Sequence, residues 1–183
     1  MNPSHQIKPT EAAHTLADSQ RRRNGQALVE FCFVLLGLLI LVFGLVDFGR
    51  LFSTQQVMVN LTREGANLAS RGTSLPDTVN AMALSATPLN IDRDGYVIVT
   101  TVQRDTNGRL TITGQQTRGG RSFSSRIGSL QQPNNVNISN AQVPQPNQTV
   151  AIAEVFYVYQ AATPVGRLAG VVMPTSLYDV AYF

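Results

Sequence analysis

The longest uninterrupted apolar stretch of the chain lies near its amino end. Residues 31–46 contain no charged or strongly polar side chain, and residues 27–29 extend the stretch to about the 20 residues that cross a hydrocarbon core as a helix. A cleaved secretory signal would have an apolar region of about 7 to 15 residues followed by a small-residue cleavage site, whereas this stretch continues into "VDFGRLF". The pattern therefore predicts a transmembrane helix over residues 26–47.

After this stretch the apolar residues continue on one side of a helix only. They recur at helical spacing and are Leu51, Val57, Met58, Leu61, Leu68 and Ala69. No proline interrupts residues 47–70, and Gly72 is a typical helix end signal. We therefore expect an amphipathic extension over residues 48–72, with its apolar side buried and with Arg63 and Glu64 in solvent.

The remaining part of the chain, residues 73–183, begins with the pattern of a short helix. Ser74 and Asp77 flank Pro76 as in a capped helix start, and helix-compatible residues continue until Pro88. After Pro88 the period of the apolar residues changes from that of a helix to that of strands.

Four strands are predicted after the short helix. Residues 95–103 and 109–113 are rich in β-branched side chains, and the Asn107-Gly108 pair between them is a turn signal, which predicts a hairpin. Residues 149–160 are apolar on both sides, as expected of an inner strand covered by the helix. Residues 177–183 are expected to supply a last strand.

The segment between the hairpin and the inner strand is long and polar. Residues 114–148 are dominated by Gly, Ser, Asn, Gln and Pro, and we expect a mobile loop or a variable surface region there. The predicted fold class is α+β, in which a long amino-terminal transmembrane helix continues into an outer domain with a small antiparallel sheet.

Composition and charge exclude two broad classes of protein. With 43% apolar and only 14% charged residues among 183, the chain is not disordered as a whole. The net charge of +3 is not a nucleic-acid signal, because one cluster of arginines lies at Arg21, Arg22 and Arg23 and the others are scattered singly. We therefore expect no nucleic acid among the partners.

The outer domain carries no pattern typical of catalysis. Cys32 is the only cysteine, and both histidines, His5 and His14, precede the apolar stretch. "NIDRDG" resembles the front of a calcium loop, but the position that needs a glutamate falls on Thr101, so a turn is favoured. We expect a protein that is not an enzyme, with no metal and no cofactor.

The arginine cluster also predicts the orientation in the membrane. Arg21, Arg22 and Arg23 form a positive flank before the span, and only Arg50 stands directly after it. Positive flanks remain in the cytoplasm, so the amino terminus is expected there and the residues after Asp47 outside. Asp47 and Arg50 form the membrane-exit flank, either as an ion pair or as a generic interfacial pair.

Glu30 is the costly residue of the apolar stretch. A charge deep in a spanning helix costs about 2.5 to 3.5 kcal/mol, and less near the end of the helix. Glu30 therefore either lies shallow near the headgroups or has a partner in the membrane. A cut after Gly25 would make Gln26 the first residue and Glu30 the fifth, followed by Phe31.

These residues carry a resemblance to a known family. "GQALVEF" resembles the processing site of type IVb and Flp-type prepilins, which has a glycine before the cut, an acid at the fifth position and an aromatic residue after it. The longer stretch from Gly25 to Gly72, with its "VDFGR" and "REGA" segments, is similar to the TadE-like family of the tight-adherence pilus system.

The resemblance implies a type IV pilin-like fold, a mechanism and a set of partners. A prepilin-type peptidase would cut between Gly25 and Gln26 and remove the cytoplasmic leader, residues 1–25. Glu30 and Phe31 would act in assembly, where the Glu30 carboxylate pairs with the new amino terminus of a neighbouring pilin or pseudopilin subunit. The location implied is the bacterial inner membrane, spanned once, with residues 73–183 extracytoplasmic and in contact with the pilus assembly machinery.

Two classes of function follow from the sequence. One is a pilus assembly protein or minor pseudopilin of a tight-adherence pilus or secretion system, which is structural. The alternative is an unprocessed, membrane-anchored extracytoplasmic binding domain, in which the polar loop 114–148 would be the binding element. The state of the amino terminus separates the two.

Overall fold

The computed structural model describes residues 9–168 and 175–183, and it describes the side chains of residues 25–164, 166, 167 and 175–183. The chain divides into two units, residues 1–45 and 46–183. Helix α1, Pro9–Ser70, belongs to both units. The helices predicted over residues 26–47 and 48–72 are therefore one element.

In the first unit, α1 is apolar on all sides from Phe31 to Leu45. Nearly all of its side chains from Leu28 to Leu45 are exposed, including Phe31 and Phe33. A helix that is apolar all round is stable where lipid or other helices cover it. Among the described helices it is the one that is long and apolar enough to cross a membrane, so it is the candidate membrane span that the sequence predicted.

In the second unit, α1 buries one side, as its apolar spacing predicts. Met58 and Leu61 are buried in the core, and Arg63 and Glu64 are exposed, so all four were predicted correctly. The buried side also includes small and polar residues that the apolar pattern did not reveal, namely Asp47, Thr54, Thr62, Gly65 and Ala66.

The end of α1 is a Schellman motif built around Gly72. The Thr73 N–H donates to the Leu68 carbonyl at 3.2 Å, and the Gly72 N–H donates to the Ala69 carbonyl at 3.1 Å. Gly72 has a φ of 88°, a left-handed conformation that glycine adopts at low cost. The predicted end signal is confirmed.

Two short helices follow α1. Helix α2, Leu75–Ser85, begins at the predicted cap, where the Ser74 hydroxyl accepts a hydrogen bond from the Asp77 N–H at 3.2 Å. Helix α3, Ile91–Asp94, lies where the sequence resembled a calcium loop. On α2, Met82 is fully buried against Gly65 of α1, and a Cβ at Gly65 would overlap its sulfur.

Four antiparallel strands form one sheet in the order β2-β1-β3-β4. They are β1 Gly95–Arg104, β2 Leu110–Gly119, β3 Thr149–Val158 and β4 Ser176–Tyr182. The hairpin, the inner strand and the last strand are therefore confirmed, and Gly108 in the hairpin turn has a φ of 83°. The fold is α+β with one candidate membrane span, as predicted.

Each face of the sheet has its own core. On one face, Val97 and Val99 of β1 and Val155 of β3 pack with residues of α1 and α2. On the other face, Val102 of β1 and Ile152 of β3 form a second core with Ile112, Ile127 and Val150. Successive residues of a strand point to opposite faces, which is why β3 is buried along most of its length.

The second core corrects part of what was expected of residues 114–148, a mobile loop or a variable surface region. Strand β2 continues to Gly119, and residues 120–148 cover the second face of the sheet. Ile127 is buried there, and Val136 and Ile138 are partly buried against the same core. A few apolar residues are enough to hold this segment on the sheet, because the polar residues around them form hydrogen bonds to the sheet and to one another.

Two substitutions in residues 120–148 test whether this segment forms a core with the sheet. We expect Ile127→Ala to lower the free energy of unfolding by about 2 to 5 kcal/mol, because it removes a fully buried aliphatic side chain. Leu130→Ala, three residues further on, should change it by less than about 0.5 kcal/mol, because Leu130 is exposed.

The measurement is urea unfolding of the full chain in detergent micelles, followed by circular dichroism. Equal stability of the two variants would mean that residues 120–148 do not form a core with the sheet.

Candidate functional site

The predicted processing segment lies on exposed helix. Gly25, Gln26, Glu30 and Phe31 all belong to α1, and each of them is exposed. Apart from its chain neighbours and the nearby backbone of its own helix, no atom of the described residues lies within 4 Å of the position that a Cβ would take at Gly25. The structure therefore places the four residues on a surface that another molecule can reach.

Glu30 has no partner among the described side chains. Three ion pairs occur in the described part of the chain, and their arginines are Arg93, Arg118 and Arg121. Arg21, Arg22 and Arg23 lie in α1, but their side chains fall outside the described ones. The expected partner of Glu30, a neighbouring amino terminus, remains a prediction.

Asp47 occupies the opposite end of the apolar stretch, and its environment was not expected. Its side chain is fully buried and accepts three hydrogen bonds from the segment that follows β3. The N–H groups of Ala162 and Thr163 donate to Oδ1 at 2.9 and 3.2 Å, and the Thr163 hydroxyl donates to Oδ2. A carboxylate that accepts this many bonds is compensated for its loss of water.

The segment that Asp47 binds is the start of helix α4, Pro164–Leu168. The Thr163 hydroxyl oxygen also accepts from the Gly166 N–H at 3.1 Å, as an N-cap residue does. A Cβ at Gly166 would overlap Asp47 Oδ2, so the approach needs a glycine. In addition, the Tyr159 hydroxyl donates to the Asp47 carbonyl at 2.9 Å.

In the predicted membrane-exit flank, the contacts of Asp47 differ from an ion pair with Arg50, one of the two expected arrangements. Asp47 does not form one of the three ion pairs of the described residues; it binds Thr163 and Ala162, which lie more than a hundred residues further along the chain. Arg50 is exposed one turn later on α1. The placement of both residues at a membrane surface remains a prediction.

Glu154 is a second buried acid, and sequence reasoning missed it. It stands in the middle of β3, is fully buried, and accepts from the Ser125 hydroxyl, from the Arg126 N–H at 2.9 Å and from the Tyr178 hydroxyl at 3.0 Å. The signal was a single glutamate within an otherwise apolar strand, "TVAIAEVFYV". Glu154 thereby ties the cover segment, residues 120–148, to the sheet.

The surroundings of Glu154 also keep the Tyr178 phenol protonated, so that it can donate a hydrogen bond. Burial raises the pKa of the Tyr178 phenol, and the negative charge of Glu154 raises it further. The Arg126 guanidinium lies 3.9 Å from the centre of the Tyr178 ring, in the position of a cation–π contact. At neutral pH the tyrosine is therefore protonated and donates to Glu154.

A third acid joins the last strand to α1. The hydroxyl of Thr62, a fully buried residue of α1, donates to Asp179 Oδ2 on β4 at 2.5 Å. Asp179 lies opposite Val155 in the sheet register and therefore on the face that packs against α1. Asp47, Glu154 and Asp179 thus each fasten one segment to another that is distant in sequence.

Comparison with known proteins gives one match. The family model described as TadE-like protein matches residues 25–67, which confirms the resemblance predicted from the sequence. The family is a structural one associated with the tight-adherence pilus. No curated protein and no solved structure matches the chain significantly. The matched stretch begins at Gly25 and includes Asp47 and Gly65.

The contacts of Asp47 predict its effect on stability. Asp47→Asn should lower the free energy of unfolding by about 1.5 to 3 kcal/mol, because an amide replaces an oxygen that accepts from Thr163 with a group that can donate. Gly166→Ala should have an effect in the same direction, because its methyl group displaces the carboxylate.

Glu64→Gln is the matched control, since Glu64 is an exposed acid on the same helix. The measurement is again unfolding of the full chain in micelles. If Asp47→Asn is as stable as Glu64→Gln, the buried bonds of Asp47 do not hold the start of α4.

Proposed function

We propose that this protein is a pilus assembly protein or minor pseudopilin of a tight-adherence, type IVb-like pilus or secretion system, and that a prepilin peptidase cuts it after Gly25. The observation that carries the proposal is the family match, whose first residue is the glycine of the predicted cleavage site. The role is structural, and the protein acts by packing with other subunits in and outside the membrane.

The position of Gly25 supports processing. Glycine inside a helix is less favourable than alanine by about 1 kcal/mol. Gly65 is explained by its contact with Met82, whereas no described atom lies near the side-chain position of Gly25. Three further glycines of α1, Gly37, Gly44 and Gly49, have equally open positions, so what distinguishes Gly25 is its place directly before the predicted cut. A peptidase that binds the chain in an extended form needs a residue without bulk there.

The environment of Glu30 supports a role in assembly. Its carboxylate is exposed on a helix whose neighbouring side chains, Val29 and Phe31, are apolar and exposed as well. In lipid an unpaired carboxylate is expensive, and a positive group offsets that cost. The cut creates such a group, the α-amino group of Gln26, and the amino terminus of a neighbouring subunit can lie beside Glu30 when the helices pack.

The proposed location follows from the arginines and the span. The leader, residues 1–25, lies in the cytoplasm, the apolar part of α1 crosses the inner membrane, and the domain after Asp47 is extracytoplasmic. The peptidase, other pilin or pseudopilin subunits and the pilus assembly machinery are the proposed partners. Residues 120–148 pack on the sheet, so the surface that the second unit presents to these partners is a folded one.

Processing is tested by replacing the glycine before the cut. Gly25→Val should leave an inserted precursor that is heavier by residues 1–25, because a β-branched residue restricts the backbone and crowds the peptidase site. The measurement is an immunoblot of the tagged protein expressed with and without the peptidase.

Gly37→Val is the matched control, because Gly37 lies in the same helix and also has no described atom near its side-chain position. It should be cut normally. If the wild type and both variants run at one mass with and without the peptidase, the chain is the unprocessed anchor of the alternative reading.

The role of Glu30 is tested separately from cutting. Glu30→Gln should still be processed but should enter the assembled pilus complex much less, because the neutral amide cannot pair with a neighbouring amino terminus. Co-purification with tagged pilus subunits from solubilised membranes measures incorporation, and Glu64→Gln on the exposed part of the same helix is the control. Normal incorporation of Glu30→Gln would contradict the proposed pairing.

A further inference from the structure

A cleft of about 500 Å³ opens in the second unit, beside the part of α1 that follows the apolar stretch. Three arginines line it, one from α1, one from α3 and one from α4: Arg50, Arg93 and Arg167. Hydroxyl and amide groups complete its polar wall, namely those of Ser53, Tyr157 and Gln160. We name this feature the arginine cleft.

The charges of the arginine cleft are mostly uncompensated. Among the described residues of its lining Asp94 is the only acid, and it is already shared: Arg93 Nε lies 2.6 Å from one of its oxygens, and Arg121 Nη2 lies 3.8 Å from the other. Neither Arg50 nor Arg167 forms an ion pair among the described residues. Both side chains are exposed.

Asp47 is close enough to Arg50 for the two charges to attract each other, but the two residues form no ion pair among the described side chains. The buried Asp47 carboxylate accepts its hydrogen bonds from Ala162 and Thr163. Because Asp47 holds the start of α4, it also fixes the backbone that carries Arg167. The three guanidinium groups are exposed at the surface of the cleft, and the backbone beneath one of them, Arg167, is held in place by the buried carboxylate.

The sequence position of Arg50 sets its depth relative to the membrane. Arg50 follows Val46, the last residue of the apolar stretch, by four residues, which is about 6 Å of helix. The headgroup layer on each side of a bilayer is about 5 to 8 Å thick. A helix that leaves the hydrocarbon at Val46 thus carries Arg50 in the layer where lipid phosphates lie.

We propose that the arginine cleft binds the phosphate of an anionic phospholipid headgroup at the outer surface of the membrane. Guanidinium groups bind phosphate oxygens through paired, charge-assisted hydrogen bonds, and the neutral hydroxyl and amide groups suit the polar remainder of a headgroup. A bound lipid would fix the rotation and depth of α1 where it leaves the membrane. The proposal depends on the membrane span and not on cleavage after Gly25.

The chemistry recognised is a phosphate group, which a lipid headgroup or free inorganic phosphate can supply. The test is native mass spectrometry of the full-length protein in detergent, titrated with phosphatidylglycerol, with zwitterionic phosphatidylcholine, or with phosphatidylglycerol in the presence of excess inorganic phosphate. We expect preferential retention of phosphatidylglycerol that inorganic phosphate does not displace.

The variant for this test is Arg50→Gln combined with Arg167→Gln, which leaves the Arg93–Asp94 pair in place. It should bind phosphatidylglycerol roughly tenfold or more weakly, as the loss of charge-assisted contacts predicts. The control is Arg63→Gln combined with Arg109→Gln, which removes the same charge from exposed positions outside the cleft and should change affinity by less than about twofold. Circular dichroism checks that both variants are folded.

Two results would overturn the proposal. Equal retention of the two lipids, or equal weakening by the two double variants, would mean that net charge and not the cleft attracts the lipid. Displacement of phosphatidylglycerol by inorganic phosphate, with phosphate binding that depends on Arg50 and Arg167, would assign the cleft to a soluble anion and overturn the headgroup assignment.

Discussion

The burial of one side of α1 against the sheet and α2 is the interaction on which the second unit depends. Met58 and Leu61 form the centre of that contact, and Gly65 lets Met82 approach the helix axis. The helix is apolar all round from Phe31 to Val46 and one-sided after Asp47, a change that fits the proposed passage from lipid to a folded domain on one side and water on the other. The pattern of apolar residues in this one helix therefore changes near Asp47.

Two buried acids and one half-buried acid add hydrogen bonds to the apolar packing. A carboxylate removed from water is costly unless hydrogen bonds replace the lost hydration, so each of these acids specifies its partners closely. Asp47 holds the start of α4, Asp179 holds β4 to α1, and Glu154 holds the cover segment to the sheet. Apolar contacts alone would permit these segments to slide, whereas the acids fix their positions. The same contacts at Asp47 give the arginine cleft its defined wall.

The parts of the fold that local signals determine could be predicted from sequence, and the parts that depend on distant partners could not. The apolar spacing of α1, the cap at Ser74 and the turn at Gly108 are read within a few residues of chain. Thr163 lies 116 residues from Asp47, and no local pattern reveals that they meet. Residues 120–148 looked mobile because polar residues outnumber Ile127 and its few apolar neighbours, and composition does not show that these few face one core. In the candidate site, the glycine, the acid and the order of motifs were sufficient to predict the family, while the contacts of Asp47 required the structure.

The central claim is that a membrane-spanning helix with an exposed glycine and an exposed acid near its cytoplasmic end is a pilin-type assembly element. The most direct measurement is the mass of the amino-terminal peptide of the protein purified from membranes of a cell that contains a prepilin peptidase. If the peptidase cuts after Gly25, as we propose, the mature chain begins at Gln26 and Glu30 is its fifth residue. A chain that still begins at Met1, or one cut at any other position, would contradict the claim.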